Sequence, residues 1–295
     1  MKNTVGTVDN IPTSFTNNYP QMKSTTNQFR QASKIALENP KIQANLQGLH
    51  SGFNKARQRA SEATPGWDAM QNQARAIKAH TLDNLDYYLE MVERNVKNIG
   101  GKVYFASDAA AATKYITELA RSREVKVAIK GKSMVSEEVG LNTKLAEAGI
   151  ESVETDLGEY IIQLAGQSPS HIIAPAIHMS KDDVADVLHK NLGTPRYDKA
   201  SDLASEARIR LRDVFAHADM GITGANFMVA ETGSIVLVTN EGNGRMCTSM
   251  PRIHVAIVGM EKVIPSLEDL SIFLRLLIRS ATGQKISTYV TTVDG

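Results

Sequence analysis

The stretch that decides the fold is residues 220–259, MGITGANFMVAETGSIVLVTNEGNGRMCTSMPRIHVAIVG. It joins a short apolar strand end, an alternating apolar run, a glycine-rich polar loop and an apolar strand at residues 253–258. Two of its turns, residues 221–226 and 240–245, carry small residues and amides, which suit tight turning or close approach of the backbone to another group. Arg245 adds a guanidinium, a good partner for an oxyanion. A small-molecule site is therefore sought here first, the alternative being that both segments are only hairpin turns.

Composition indicates a soluble globular protein. The chain has 295 residues, of which 42% are hydrophobic and 22% are charged, and these are ordinary values. The net charge of +1 gives no indication of nucleic-acid or membrane binding. No apolar run reaches the ~20 residues that span a bilayer, and residues 1–10 lack the apolar core of a signal peptide. We expect no nucleic acid among the ligands and no membrane span.

The sequence contains a single cysteine, Cys247. One thiol forms no internal disulfide, which fits a reducing, cytoplasmic compartment. It also cannot supply the roughly four ligands that a 4Fe–4S cluster or a structural zinc requires. We therefore expect this segment to bind no metal and no cofactor.

The front of the chain is predicted to be helical. Residues 1–26 are rich in Ser, Thr and Asn and are predicted to be a flexible arm, and residues 27–100 are predicted to form a helical extension that ends in one long helix over 67–96. Pro40 is expected to break the helical pattern. Between residues 22 and 60 seven Lys or Arg residues oppose Glu38 alone. This charge run indicates either a solvated helix face or a surface for an acidic partner.

From residue 101 onward strand patterns alternate with helix patterns, and we assign residues 101–295 to one α/β domain. Strands are predicted at 103–106, 125–129, 150–153, 171–174, 253–258 and 285–293, and helices at 109–121, 134–148, 157–165, 184–192, 202–217 and 267–278. The last helix is apolar on nearly all sides and is expected to be buried. The pattern predicts an α/β fold, a mostly parallel sheet with helices on both faces.

A possible anion site follows the strand at 125–129. Residues 130–133, Lys-Gly-Lys-Ser, end like a phosphate loop, but a P-loop also needs a glycine at position 126, which is Lys126. What remains is two lysines and a hydroxyl at a helix start, where free N–H groups favour an anion. The alternative is a solvated turn in which Ser133 caps the helix.

Two further segments place carboxylates near strand ends. Asp156 and Glu159 have capping-box spacing, and the alternative is that they contact a substrate or act as a base. Glu231 lies between two apolar segments, so we expect it to have either a polar partner or a raised pKa, unless it is simply a polar hairpin residue. The histidines show no metal-ligand spacing, and no GxGxxG, HExxH or CxxC motif occurs.

Several segments together resemble the LUD (lactate-utilisation) domain. They are residues 77–82 (IKAHTL), 84–89 (NLDYYL), 132–135 (KSMV), 154–161 (ETDLGEYI) and the whole of 221–259. The chain is most similar to the iron–sulfur subunits of bacterial L-lactate utilisation complexes, the protein B type, from about residue 25 to its end. The resemblance implies a fold like those of ribose-phosphate isomerases and CoA transferases. It also implies a cytoplasmic role in oxidising L-lactate to pyruvate and transferring electrons, alongside two partner subunits.

The family continues into a ferredoxin-like region whose cysteines hold 4Fe–4S clusters, and no such region follows residues 291–295 here. We therefore expect this chain to be the LUD portion of a longer protein, acting as a substrate-binding or subunit-docking module. One alternative is an acyl-transferase or sugar-phosphate-isomerase-like enzyme in which Glu231 is the catalytic residue, because Glu-Thr-Gly at 231–233 is similar to the Glu-x-Gly of CoA transferases. The other alternative is a structural scaffold for partner subunits.

We expect a small carboxylate or another anion as the ligand, held where the glycine-rich turns and the Lys132 helix start converge on one edge of the sheet. Glu231 is the candidate catalytic residue. The candidate ligand-binding residues are Lys130, Lys132, Ser133, Glu159, Thr223, Gly224, Asn226, Thr232, Gly233, Asn243, Gly244 and Arg245.

Overall fold

The computed structural model describes residues 26–170 and 174–294. Its α-helices are α1 (Phe29–Glu38), α2 (Pro40–Leu49), α3 (Lys55–Glu62), α4 (Trp67–Asp83), α5 (Leu85–Asn98), α6 (Ala109–Ser122), α7 (Met134–Glu138), α8 (Leu141–Glu147), α9 (Leu157–Ala165), α10 (Lys181–Leu192), α11 (Ala200–His217), α12 (Asn243–Ser249) and α13 (Leu267–Thr282). Its strands are β1 (Val127–Gly131), β2 (Glu151–Glu154), β3 (Met220–Thr223), β4 (Phe227–Val229), β5 (Ser234–Thr239), β6 (Ile253–Ala256), β7 (Val263–Ile264) and β8 (Tyr289–Val293). Within these residues no helix is long and apolar enough to cross a membrane.

The first sheet is parallel throughout, with strand order β2-β1-β3-β6. Helices cover both faces of this sheet, as is usual for parallel sheets. On one face, Ile116 of α6 and Leu141 of α8 pack around Met220. On the other face, Tyr160 of α9 and Phe215 of α11 pack around strand residues. The predicted α/β fold with a parallel sheet covered on both faces is confirmed.

A second, mixed sheet has the order β7-β4-β5-β8 and was not anticipated from the sequence. The alternating run after residue 226 forms an antiparallel β4–β5 hairpin, and β7 pairs with β4 in parallel. Tyr88 and Val92 of α5 cover one face of this sheet, and Leu270 of α13 packs against its other face. The stretch that decides the fold therefore supplies strands to both sheets.

Two predicted helices are each divided in the structure. The pattern over 67–96 forms α4 and α5, which meet at Asn84, whose side-chain amide donates to the carbonyl of His80 at 2.8 Å. The pattern over 134–148 forms α7 and α8, because Gly140 adopts a left-handed backbone with φ 69°. Apolar periodicity continues through both breaks, so spacing alone does not reveal them.

Other predictions about single elements were wrong or lie outside the described residues. Residues 103–106 form no strand; instead the Tyr104 ring stacks on Tyr115 of α6 with centroids 4.0 Å apart. Helix α13 exists, but Leu270 is its one buried residue. The helix packs against the mixed sheet, α3 and α4, most of its other side chains are only partly buried, and Arg275 faces solvent. The predicted strand at 171–174 falls largely on residues 171–173, and the predicted arm at 1–26 almost wholly on residues 1–25, outside the described ranges.

The predicted helical extension contains two different kinds of helix. Helices α1 and α3 bury no residue, whereas α4 and α5 bury Met70, Ala74, Thr81, Tyr88 and Val92. The outer helices are nonetheless attached: the Lys41 ammonium pairs with the Asp183 carboxylate, and the Asn45 amide donates to the Ile177 carbonyl at 2.7 Å. The α4–α5 pair is thus part of the folded core, and α1–α3 lie on its surface.

Candidate functional site

The carboxyl ends of β1, β2 and β3 meet at one edge of the parallel sheet. The chain runs from β1 to β2 on one side and from β3 to β6 on the other, so the direction of the connections reverses between β1 and β3. Ligands of open α/β sheets bind in the crevice at such a reversal point. The backbones approach closely here, because a Cβ added at Gly224 would lie 2.5 Å from the carbonyl oxygen of Lys132. A glycine is required at position 224 for this contact.

Helix α12 covers the same edge. A Cβ at Gly244 would lie 3.7 Å from Cγ of Lys132, and one at Gly131 would lie 3.8 Å from Nδ2 of Asn243. Both Asn243 and Gly244 are buried. The predicted polar loop at 240–245 is therefore largely the start of a helix. Its predicted convergence with Lys132, Ser133 and Gly224 agrees with these contacts.

Lys132 is the centre of the cluster. It is a non-glycine residue with a left-handed backbone, φ 58°, which costs on the order of 1–3 kcal/mol and is over-represented at functional sites. Its N–H donates to Oδ2 of Asp156 at 2.9 Å, its ammonium pairs with Oδ1 of the same carboxylate, and Oε2 of Glu241 lies 3.6 Å from Nζ. Burial acts to lower the pKa of Lys132, but the attraction of Asp156, with smaller effects from Glu241 and Glu159, outweighs burial and raises it.

Three carboxylates surround this one ammonium group. Burial and the nearby Asp156 charge raise the pKa of Glu159 to about 7. Burial also raises the pKa of Glu241, with Lys132 opposing and Asp156 reinforcing the shift. A carboxyl group that titrates near pH 7 can both accept and donate a proton under physiological conditions. Lys132 and Glu159 together therefore offer a cation and a base at one strand edge.

The capping box predicted for α9 is not formed. Asp156 occupies the N-cap position, but its side chain makes no capping hydrogen bond because Lys132 takes both carboxylate oxygens. At α10, by contrast, Ser180 and Asp183 form a complete capping box. Asp156 is instead the carboxylate that positions Lys132.

Lys130 and Ser133 have structural partners. The Lys130 side chain is fully buried, with Nζ 2.6 Å from Oε1 of Glu154, which also accepts from the Asn142 amide at 3.1 Å. Ser133 caps α7 by accepting from the Ser136 N–H at 3.2 Å. Of the two lysines that the sequence places near an anion, Lys132 is therefore the one that reaches solvent.

A cavity of 290 Å³ lies between α7–α8 and α9, next to this cluster. Carboxylates dominate its wall, which includes Glu137, Glu154 and Glu159, with Lys144 as a cationic member. Such a wall repels anions, so the carboxylate group of a ligand is expected on Lys132 rather than deep in this cavity. Glu159 belongs to both places, because it lines the cavity and interacts electrostatically with Asp156 and Lys132.

The Glu231–Thr232–Gly233 turn lies at the other end of β5 from this cluster. The six residues of β5, Ser234–Thr239, span roughly 20 Å. Glu231 is exposed and its Oε2 accepts from the Leu267 N–H at 3.1 Å, so it has the polar partner that was expected. Thr232 Oγ1 lies 2.6 Å from Ser234 Oγ, and Gly233 packs on the α5 backbone. The three residues do not join the Lys132 cluster.

Of the remaining candidate residues, Asn226 and Thr223 make structural contacts and Arg245 is exposed. Asn226 holds the hairpin, accepting from the Val238 N–H at 2.8 Å. Thr223 is buried with Oγ1 2.9 Å from Nε2 of His254, and burial lowers the pKa of that histidine to about 4. Arg245 lies exposed on α12. Glu154 and Glu241 were not predicted as site residues, although Glu241 lies within the polar loop at residues 240–245.

The LUD domain family matches residues 89–295. This chain belongs to the LUD domain family. The resemblance seen in the sequence is confirmed, and the match begins inside α5, one of the helices that pack on the mixed sheet.

Similar proteins carry one name. The chain is 42% identical over 93% of its length to Lactate utilization protein B of Lysinibacillus sphaericus (strain C3-41), covering 58% of that protein. It is 39% identical over 93% of its length to Lactate utilization protein B of Bacillus subtilis (strain 168), covering 57% of it. The relative of the same name in Shouchella clausii (strain KSM-K16) is 45% identical over 80% of the chain and is half covered. The chain thus spans little more than half the length of these relatives, and no solved structure matches it.

Proposed function

We propose that this chain is the LUD portion of a cytoplasmic iron–sulfur subunit that takes part in oxidising L-lactate to pyruvate. This proposal is supported by the name shared by relatives that are about 40% identical over most of the chain. In this proposal two other lactate-utilisation subunits are its partners, and its own part is to hold the small carboxylate substrate.

The observation that carries the binding role is the Lys132 cluster at the strand edge. Lys132 is fixed by Asp156 on one side, whereas Glu241 approaches from the other at 3.6 Å, beyond hydrogen-bond range. The ammonium therefore keeps a donor for the carboxylate of L-lactate. A cation held in one geometry by a second carboxylate loses little entropy when it binds.

Glu159 supplies a proton acceptor in this proposal. Oxidation of L-lactate to pyruvate removes two electrons and two protons, one of them from the hydroxyl group. A carboxylate whose pKa is about 7 is well matched to accept that proton at neutral pH. The remaining proton and the two electrons leave for an acceptor outside this chain.

The chain's own residues do not fit a 4Fe–4S cluster. Such a cluster needs about four thiolates, and Cys247 is the single cysteine of the sequence. It is buried, and its Sγ lies 3.5 Å from the hydroxyl of Thr155. We therefore place the clusters implied by the family in the part of the relatives that this chain does not span.

Calorimetric titration of the purified chain with L-lactate tests the binding role. We expect binding that weakens at least about tenfold in Lys132→Met, since a charge-assisted hydrogen bond contributes about 1.5–3 kcal/mol. Lys114→Met, which alters an exposed lysine on α6, is the matched control and should bind as the unchanged chain does. Absence of L-lactate binding, or equal binding by Lys132→Met, would contradict the proposal and favour a docking or scaffold role.

A further inference from the structure

Asn243 carries a buried acceptor that has no partner. The residue is 5% exposed, and its Oδ1 makes no hydrogen bond within residues 26–170 and 174–294. Buried amide oxygens are almost always satisfied, by protein, water or ligand. An exception beside a candidate site points to a donor that arrives with a ligand.

The orientation of this amide follows from its neighbour. The hydroxyl of Thr155 donates to the Lys130 carbonyl at 2.7 Å, so only its lone pairs face Asn243. Nδ2 of Asn243 lies 3.5 Å from that oxygen and is its donor. Rotating the amide by half a turn would bring two acceptors together. Oδ1 therefore points away from Thr155 and needs a donor of its own.

Glu241, two residues earlier, occupies the open side of Lys132. Its backbone is anchored, because its N–H donates to Thr239 Oγ1 at 3.0 Å. Its carboxylate is not, since the side chain is 51% exposed and stays 3.6 Å from Nζ of Lys132. This carboxylate stands where the carboxylate of a bound ligand would pair with Lys132.

We propose that a ligand carboxylate replaces Glu241 on Lys132 and that a hydroxyl on the neighbouring carbon donates to Oδ1 of Asn243. The inference rests on the proposed function and adds the residue that recognises the hydroxyl group of the ligand. A 2-hydroxy acid supplies both groups. A 2-oxo acid presents only lone pairs to Oδ1, and an unsubstituted acid presents nothing. Asn243 therefore makes the site favour the hydroxy acid over its oxidised product.

Titrations of the full chain with L-lactate, pyruvate and propionate test this assignment. The unchanged chain should bind L-lactate at least about fivefold more tightly than propionate, from one satisfied buried acceptor. Asn243→Ala should remove that preference and leave propionate affinity within about twofold. Glu241→Gln should strengthen binding of all three acids without altering their ratios. Asn191→Ala, on the exposed face of α10, is the control and should change nothing.

A second measurement covers the case in which Asn243→Ala does not fold. In the unchanged, ¹⁵N-labelled chain, the side-chain amide resonance of Asn243 should shift with L-lactate and not with propionate. Two results would overturn this inference alone. One is that Asn243→Ala still prefers L-lactate over propionate, and the other is that the unchanged chain binds L-lactate without a shift of the Asn243 amide resonance. No binding of any of the three acids, by the unchanged chain or by Glu241→Gln, overturns the proposed function as well.

Discussion

Nζ of Lys130 lies 2.6 Å from Oε1 of Glu154, and the two residues are paired directly across strands β1 and β2. The lysine side chain is fully buried and the glutamate nearly so. Burying either charge without a partner would be costly in free energy, so each side chain stabilises the charged form of the other. This pair joins the two strands just before they deliver Lys132 and Asp156 to the candidate site.

Lys130→Met should destabilise the protein by about 3–5 kcal/mol, because it leaves the Glu154 carboxylate buried and unpaired. The double variant Lys130→Met, Glu154→Leu should be more stable than the single one, since it removes both charges. Urea unfolding monitored by circular dichroism measures both. Lys114→Met, in an exposed pair, should cost no more than about 1 kcal/mol. A Lys130→Met protein as stable as this control would show that the buried pair is unimportant.

Gly221→Ala should prevent folding. A Cβ at this position would lie 1.8 Å from the carbonyl oxygen of Cys247, so β3 and α12 would have to separate. Gly242→Ala is the matched change, because nothing lies within 4 Å of its added Cβ and its φ is −77°. We expect the Gly221 variant to be insoluble or to lack near-ultraviolet dichroism, while the Gly242 variant keeps both solubility and signal. Equal behaviour of the two would mean that α12 is not packed against β3 as described.

The stability of the protein should depend on Glu159 in a predictable direction. Its pKa is about 7 in the folded chain and ordinarily 4.5, so the folded state holds the proton more tightly. The tighter binding of this proton contributes to the free energy of unfolding. That contribution is fully present below about pH 4.5 and is lost as the pH rises through 7. Glu159→Gln should therefore raise the melting temperature at pH 8, by about 2–4 °C for each ~1 kcal/mol relieved, and change it less at pH 5.

Differential scanning calorimetry at the two pH values checks this expectation. Glu118→Gln, which alters an exposed carboxylate of α6, should give a small change that is the same at both pH values. A Glu159→Gln effect that is larger at pH 5 than at pH 8 would reverse the sign of the argument.

The parallel sheet and the position of the site were predictable from the sequence for a simple reason. Alternating strands and helices require a parallel sheet, and the carboxyl ends of its central strands share one edge. Residues that follow such strands, Lys132 after β1 and Gly224 after β3, must then come together. The contact between them is a consequence of topology and needs no long-range information.

Other features of the site depend on which groups compete for the same hydrogen-bonding partner, and the spacing of residues in the sequence does not reveal this. Asp156-x-x-Glu159 and Ser180-x-x-Asp183 both have capping-box spacing, yet only the second forms one, because Lys132 competes for the Asp156 carboxylate. The pairing of Glu241 with Lys132 depends on how the mixed sheet sits against the parallel one. The β4–β5 hairpin carries Glu231 to the far end of β5. The first two relationships join residues far apart in sequence, and the hairpin is local but its direction relative to the site is not given by spacing.

Deleting residues up to Ala60 should leave a folded domain. Helices α1 and α3 bury no residue, and the removed contacts include the Lys41–Asp183 pair on the surface and part of the packing of α3 against α13. Deletion to residue 100 removes Tyr88 and Val92 from the core of the mixed sheet and should abolish cooperative unfolding. Thermal melting of the two truncated chains distinguishes the cases. Loss of folding in the shorter deletion would make α1–α3 part of the core.

Under the proposed function, the same shorter deletion should also weaken the binding of the partner subunits. Residues 22–60 carry seven Lys or Arg residues against Glu38, and in the structure Arg30, Lys34, Lys55, Arg57 and Arg59 are exposed. Pairing across such a surface is screened by salt. Binding measured by surface plasmon resonance should therefore fall with rising salt for the full chain and depend less on salt after deletion. An equal salt dependence would place docking elsewhere.

The final prediction concerns iron. A 4Fe–4S cluster needs about four thiolates, whereas Cys247 is the one cysteine of the sequence, and burial raises the pKa of its thiol to about 12. A thiol that keeps its proton at neutral pH is a poor ligand as well as a solitary one. After anaerobic reconstitution with iron and sulfide, the purified chain should be colourless, hold no stoichiometric iron and reduce no dye with L-lactate. Adding a cysteine-rich extension of the kind that the proposed function places in the longer relatives should give the protein a brown colour. Stoichiometric iron and sulfide in the present chain would mean that cluster chemistry lies within residues 1–295 after all.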